Sequence, residues 1–295
     1  MIVDIHTHVW QSPDQLGRVD LGELHRPRTV RTIRSTLTKP PVRTVPPADA
    51  DHHLASTTGI DKTVVLGFRS RYLKAEIPNT FIAEYVAKHP GKLLGFAGID
   101  PCESDAAQEL RHAHAELRLS GLTLSPANQD FHPADSRALR VYEAAEELGM
   151  PILIHPGGQF TSESKLEYAR PYLWDEIARD FPRLRLIIAQ LGHPFLDETL
   201  CLLAKHPHVF ADVSGLLARP WQAYQALVAC HQNSVIDKLL FGSDFPYTSA
   251  TSCIQQLYQI NTVAFGTNLP VVPRESLRHI IERDTLALLG LEQRV

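Results

Sequence analysis

Short apolar runs recur along the whole chain, each bounded by turn residues and followed by a stretch of helical spacing. Eight of them have the length and composition of buried strands: 2–8 (IVDIHTH), 62–68 (KTVVLGF), 93–99 (LLGFAGI), 121–125 (GLTLS), 151–155 (PILIH), 184–190 (LRLIIAQ), 208–214 (HVFADVS) and 238–244 (KLLFGSD). Apolar positions at helical spacing fall between them, as over 134–148, 170–179 and 195–204. A last helix is expected over 273–289, with Pro273 at its start and Gly290 just beyond its end. Strands alternating with helices to this number predict the α/β class and a closed (β/α)8 TIM barrel. The open doubly wound alternative calls for a glycine-rich phosphate loop after the first strand, and HTHVWQS is not one. Residues 10–47 are the one long irregular insertion, rich in Arg and Pro (KPPVRTVPP). They follow strand 1 directly and so are expected to form a lid over the barrel mouth, within a single domain spanning 1–295.

Composition changes this picture little. The chain has 295 residues, 44% hydrophobic and 21% charged, which is ordinary for a globular protein. A formal net charge of −4 gives no electrostatic basis for holding nucleic acid or an acidic membrane surface. The first residues carry Asp and His in place of a basic stretch and an apolar core, so no signal peptide is expected, and no apolar run is long enough to span a bilayer. Cys102, Cys201, Cys230 and Cys253 are widely separated and read as thiols of an intracellular protein. The expectation is a cytoplasmic protein with a small-molecule substrate, no nucleic-acid or membrane partner, and a homodimer left open.

The chemistry begins in the first strand. Residues two apart on a strand share a face, so His6 and His8 are placed to grip one cation. Alone, the pair is as readily two hydrogen-bonded core histidines. The reading changes because His155 ends the fifth predicted strand and Asp244 the eighth. Three imidazoles and a carboxylate at C-terminal strand ends form a metal-ligating set that packing alone seldom produces. The other histidines serve as a control. His112 and His114 sit about 200° apart around a helix, His206 and His208 begin the seventh strand, and His52 and His53 are adjacent in a helix. All six read as surface or structural residues. Asp4 lies a layer below His6 and reads as a buried hydrogen-bonding group.

DIHTH, the lone His155 and FGSDFPY resemble the amidohydrolase superfamily, and within it the branch of aminocarboxymuconate-semialdehyde decarboxylase-like enzymes. The resemblance extends through GLTLSPANQDFHPADSRALRVYEAAEELGMPILIHPG, LEYARPYLWDEIARDFP and the closing ALLGL. It implies a distorted TIM barrel holding one divalent metal, usually Zn²⁺ with Mn²⁺ as the alternative, on His6, His8, His155 and Asp244. Two departures stand out. Thr123 occupies the place where many members have the lysine that bridges two metals as a carbamate, which excludes the binuclear form. Gln190 stands where this branch usually shows a histidine after strand 6. Gln cannot exchange protons near neutral pH, so either His193, three residues later, takes an acid–base or orienting role, or the chemistry rests on the metal and Asp244.

A metal-dependent hydrolase follows, with a metal-activated water attacking a small carbonyl substrate (a lactone, ester or amide) and Asp244 as general base. Its rival is a non-oxidative decarboxylase of an aromatic or unsaturated carboxylic acid, which the missing proton donor at Gln190 disfavours. A third reading is a metal-binding barrel whose catalysis has decayed. For substrate binding the sequence offers Arg69 and Arg71 in GFRSRY as carboxylate ligands, Trp10 as a pocket wall, and Tyr247 with Asn128 and Gln129 as pocket polar groups.

Overall fold

All eight expected strands are present, in order and parallel. The computed structural model describes residues 1–17, 46–156 and 163–292. The strands are β1 (Val3–His8), β2 (Lys62–Leu66), β5 (Leu93–Gly98), β6 (Gly121–Leu124), β7 (Ile152–Ile154), β8 (Leu186–Ile188), β9 (Val209–Asp212) and β10 (Leu239–Leu240), hydrogen-bonded in that sequence. A short antiparallel hairpin, β3 (Phe68–Ser70) and β4 (Ala75–Ile77), interrupts the series after β2. The ring closes between its first and last members: Ile5 N–H donates to the Phe241 carbonyl, Asp244 N–H to His6, and His8 N–H to Phe245. The architecture is a nearly closed TIM barrel.

Two sets of apolar residues explain why the strands read as nearly continuous hydrophobic runs. One face of each strand packs against the surrounding helices in a large outer cluster that includes Val65, Leu122, Leu124, Ile154, Ile188 and Ala211. The alternate residues fill the barrel: Val3, Ile5, Val64, Leu66, Leu94, Phe96, Leu153, Ile187, Phe210 and Leu240. Leu286, Leu289 and Leu291, near the C-terminus, belong to this inner set and plug the barrel floor. The helices obey local signals. Ser136–Leu148 begins where the Asp135 carboxylate accepts from Arg137 N–H and ends at Gly149 in the left-handed region.

Three expectations are corrected. The last helix is two, Arg274–Glu282 and Thr285–Leu289, because Arg283 is extended and Asp284 caps a new start by accepting from Ala287 N–H. The second strand stops before Phe68. Gly67 still donates its N–H to the Phe96 carbonyl, a side chain there would fall 2.6 Å from Gly98 N, and Phe68 already belongs to the hairpin. The sixth stops at Ile188, because Gln190 and Leu191 take φ of 55° and 50°. Of the expected lid, residues 18–45 lie outside those described. Just before them Gly17 packs on the hairpin, where a Cβ would fall 2.7 Å from Ala75 N. No helix among the described residues is long and apolar enough to cross a membrane.

Candidate metal centre

The site is built where the barrel closes. The register of β1 against β2 shifts between Asp4 and Thr7. Below the shift Val3 and Ile5 pack inside the barrel, and above it His6 and His8 turn toward His155. The His6 and His8 Nε2 atoms are 3.1 Å apart. Asp244 Oδ1 lies 3.6 Å from His6 Nε2 and 3.5 Å from His8 Nε2. The His155 ring centre is 5.3 Å from that of His6 and 6.0 Å from that of His8, and one nitrogen of each ring falls within 4.8 Å of the others. Two ligand atoms each about 2.1 Å from one ion at a tetrahedral angle stand about 3.4 Å apart. The three imidazoles therefore form a group that could hold a metal ion, with the Asp244 carboxylate beside two of them.

The surroundings fix the donors. His6 Nδ1 donates to Asp212 Oδ2 at 2.9 Å, which selects the tautomer that leaves Nε2 bare. Asp212 Oδ1 accepts from Gln190 N–H and Ser214 N–H, both at 2.9 Å, and from the Ser214 hydroxyl at 2.5 Å. Burial would raise the Asp212 carboxyl, but the His6 imidazole and these donors hold it below its ordinary value. Burial likewise opposes charge on His6, and Asp212 overcomes it to raise that imidazole. His8 is lowered by burial, and His155 is pushed down to about 3 by burial and the neighbouring imidazoles, which keeps both neutral as ligands must be. Asp4 accepts from the Ser243 and His6 backbone N–H groups and is raised by burial to about 6, as a supporting group below the site.

Gln190 ties the two carboxylates together. Its backbone donates to Asp212, and its side-chain Nε2 donates to Asp244 Oδ2 at 3.2 Å. That arrangement requires Gly215, whose φ is 62°: a Cβ there would sit 2.8 Å from Gln190 Nε2 and 2.9 Å from Asp244 Oδ2. Asp244 itself is left-handed, at φ 62°. Such positions are strained for non-glycine residues and persist where surrounding structure enforces them.

The structure thus brings together His6, His8, His155, Asp244 and Gln190. His193 is half-buried on the same loop as Gln190, with its N–H on the Gln190 carbonyl at 3.0 Å. Among the described residues its ring makes no hydrogen bond, and burial and the Arg219 charge hold it below its ordinary value. Trp10 is buried against Ala48 and Phe245, with its ring 6.5 Å from that of the more exposed Tyr247. Arg69 is a correction. Its guanidinium is taken up by Glu103 at 2.9 Å and Glu109 at 3.0 Å, so it is neutralised within the protein. Arg71 is exposed in the hairpin turn. Gln129 is structural, joining Ser125 N–H to the Arg69 and Ile99 carbonyls.

Of the control histidines, His53 is fully buried between Thr7 Oγ1 and Tyr85 OH, each at 2.8 Å, and burial pushes it down to about 4. His206 pairs with Asp175. The residues that sequence reasoning missed are Asp212, Ser214 and Gly215. Their only signal was ADVSG at the end of a strand, a place where polar residues in a buried run need a partner.

A family model described as amidohydrolase matches residues 3–285. Over 100 residues the chain is 27% identical to 2-amino-3-carboxymuconate-6-semialdehyde decarboxylase of Dictyostelium discoideum, a stretch covering 34% of this chain and 28% of that protein. A probable 2-pyrone-4,6-dicarboxylic acid hydrolase of Acinetobacter baumannii, with citric acid bound, superposes with a TM-score of 0.64 at 16% identity, covering 98% of this chain and 99% of the other. A dihydroxybenzoic acid decarboxylase of Polaromonas sp. JS666, with bound manganese and the inhibitor 2-nitroresorcinol, gives 0.65 at 16%, covering 100% and 98%. At these identities the structural likeness is one of fold.

Proposed function

The chain belongs to the amidohydrolase family, and on that premise we propose that it is a metal-dependent hydrolase of a small lactone, ester or amide. His6, His8, His155 and Asp244 would hold one divalent ion, Zn²⁺ or Mn²⁺. When bound, such an ion supplies Lewis acidity, polarising a carbonyl oxygen and acidifying water. The observation that carries the reading is the hold on Asp244. One carboxylate oxygen faces the imidazoles and the other is pinned by the Gln190 amide. That leaves a base fixed at the mouth, beside an amide that cannot give up a proton. Asp244 takes the proton of the attacking water and returns it to the leaving group. Gln190 keeps the carboxylate from swinging, and Asp212 keeps His6 in the ligating tautomer.

Decarboxylation is the second reading, favoured by the matched stretch of a protein named as a decarboxylase. It requires an acid to protonate carbon, and His193 is the group to supply it. On that reading His193→Ala lowers kcat by about 10²-fold. Metal-loaded protein offered a lactone and ester panel, and an aromatic and unsaturated carboxylic acid panel followed by CO₂ release, separates the two. CO₂ from the second panel with an inert first panel replaces hydrolysis by decarboxylation. Silence in both, at full metal occupancy, leaves a barrel with decayed catalysis.

A further inference from the structure

The helices after β9 and β10, Pro220–Gln232 and Ala250–Tyr258, and the segment 259–273 that follows them share a surface without charge. From Pro220 to Pro273 the only Asp, Glu, Lys or Arg residues are Asp237, Lys238 and Asp244. Asp237 and Lys238 lie just before β10, at the end of the barrel opposite the site, and Asp244 is in the site. A solvated helix of the same barrel looks different: Ser136–Leu148 exposes Arg137, Arg140, Glu143 and Glu147. Pro220–Gln232 instead opens by exposing Trp221, Gln222 and Gln225. A surface built to stay in water is roughly 25–35% charged, and this face has none of it.

The same face exposes large apolar side chains. Of the nine exposed among the described residues, five are here: Trp221 at 52%, Tyr258 at 36%, Phe265 at 73%, Leu269 at 41% and Val271 at 59%. Local contacts gather them. The Trp221 ring lies 5.9 Å from that of Tyr224, whose hydroxyl donates to the Pro270 carbonyl, between Leu269 and Val271. The Asn261 amide exchanges hydrogen bonds of 2.8 and 3.0 Å with the Val272 backbone, which draws that segment against the turn Ile260–Ala264 leading to Phe265. With an aromatic side chain worth about 150–250 Å², these exposures leave about 500 Å² of apolar surface, toward the top of the range for the largest patch on a monomer.

We propose that this face is the interface of a symmetric homodimer, covered by the same face of a second copy. Charge selects that occupant. In a twofold contact a patch meets itself, so a charged group within it is brought toward its own kind. An uncharged face is where two chains of net charge −4 can press together without that cost. A charged partner, or an anionic membrane, calls for residues of the opposite sign on the docking face, and this one has none. Area agrees: two copies of the five side chains bury about 1,000 Å², the size a specific interface has to clear, before a polar rim including Gln222, Gln225 and Asn268 is counted. The inference does not depend on which reaction the metal centre performs.

Sedimentation equilibrium of the full chain is expected to give twice the 33.0 kDa of one copy at about 10 µM. The dimer holds in about 0.5 M NaCl, since no ion pair joins it. Trp221→Arg and Phe265→Arg, both at exposed positions, raise the dissociation constant by roughly 30-fold or more. Tyr172→Arg, which changes an exposed aromatic outside this face, leaves it unaltered. Should Trp221→Arg fail to fold, Phe265→Arg carries the test, its side chain being the most exposed of the five. A wild type that stays monomeric at about 100 µM overturns the proposal. So does a dimer that the arginine variants leave intact, or one that salt dissociates. A monomer that floats with phosphatidylcholine vesicles, and no longer does so in Phe265→Arg, also overturns it and gives the face to a membrane.

Discussion

Replacing Asp212 by Asn changes one atom and sets the amide against four hydrogen-bond donors. In the native site Oδ2 faces His6 Nδ1–H, and Oδ1 faces Gln190 N–H, Ser214 N–H and the Ser214 hydroxyl. With the new NH₂ at the Oδ1 position, two buried backbone N–H groups lose their acceptor, at about 1–3 kcal/mol each. The cheaper orientation puts NH₂ toward His6, which must then present a bare Nδ1 and carry its proton on Nε2. A protonated Nε2 cannot ligate. The loss of an outer partner of a metal-bound histidine weakens metal binding by about 10- to 100-fold, or about 1.4–2.8 kcal/mol. Competition against a chromophoric chelator measures this directly, with circular dichroism confirming the fold. Ser214→Ala is the milder comparison: it removes a hydroxyl that donates to Asp212 Oδ1 and lies 3.0 Å from His6 Nδ1, but leaves the Asp212 carboxylate to select the tautomer, so its affinity should stay within about threefold of wild type. Equal metal affinity in Asp212→Asn and wild type would refute the tautomer argument.

Other consequences are as direct. Gly215→Ala must place a Cβ on the Gln190–Asp244 hydrogen bond at a φ of 62°; a loss of about 1–3 kcal/mol in urea unfolding is expected, along with weakened metal binding, and a neutral result in both counts against the clamp. His6→Ala and Asp244→Asn should no longer hold stoichiometric metal by elemental analysis; full occupancy in either removes that residue from the ligand set. His53 titrates near 6.5 unfolded and at about 4 in the buried native site. Between those values the unfolded chain binds the extra proton, so stability falls as pH drops through the window, by about 3 kcal/mol in all. His53→Gln should flatten that slope relative to wild type in denaturant titrations from pH 7 to pH 4, and an identical slope would show that His53 does not contribute it.

Much of the barrel was readable because its signal is local. Each strand is a short apolar run, and where a run was drawn too long the cause lay elsewhere in the fold. Strand β2 ends because Phe68 pairs with Ile77 in the hairpin, and β8 ends because Gln190 turns to reach Asp212. The break at Asp284 was legible as a capping residue inside an apolar pattern, and periodicity hid it. At the site, His6, His8, His155 and Asp244 announced themselves by residue type at strand ends. Asp212 did not, since a single aspartate in ADVS gives no hint that it faces an imidazole more than two hundred residues earlier. Arg69 misled for the converse reason: Glu103 and Glu109, which neutralise it, come from the turn after β5 and the helix Ala106–Ala115 that follows it, which sequence spacing does not connect to it.

The closing junction of the barrel has a mechanical meaning. The first and last strands are joined by a few single hydrogen bonds, with no continuous ladder between them. His6 and His8 stand on one side of that junction and Asp244 on the other. An ion ligated by all three would act as a buckle across the weakest seam of the ring. Metal binding and ring closure then become one linked equilibrium, and each tenfold excess of ion over its dissociation constant adds about 1.4 kcal/mol to the closed form. Stripping the metal should therefore loosen Ile5, His8 and Asp244 amides to hydrogen exchange before any strand in the middle of the sheet.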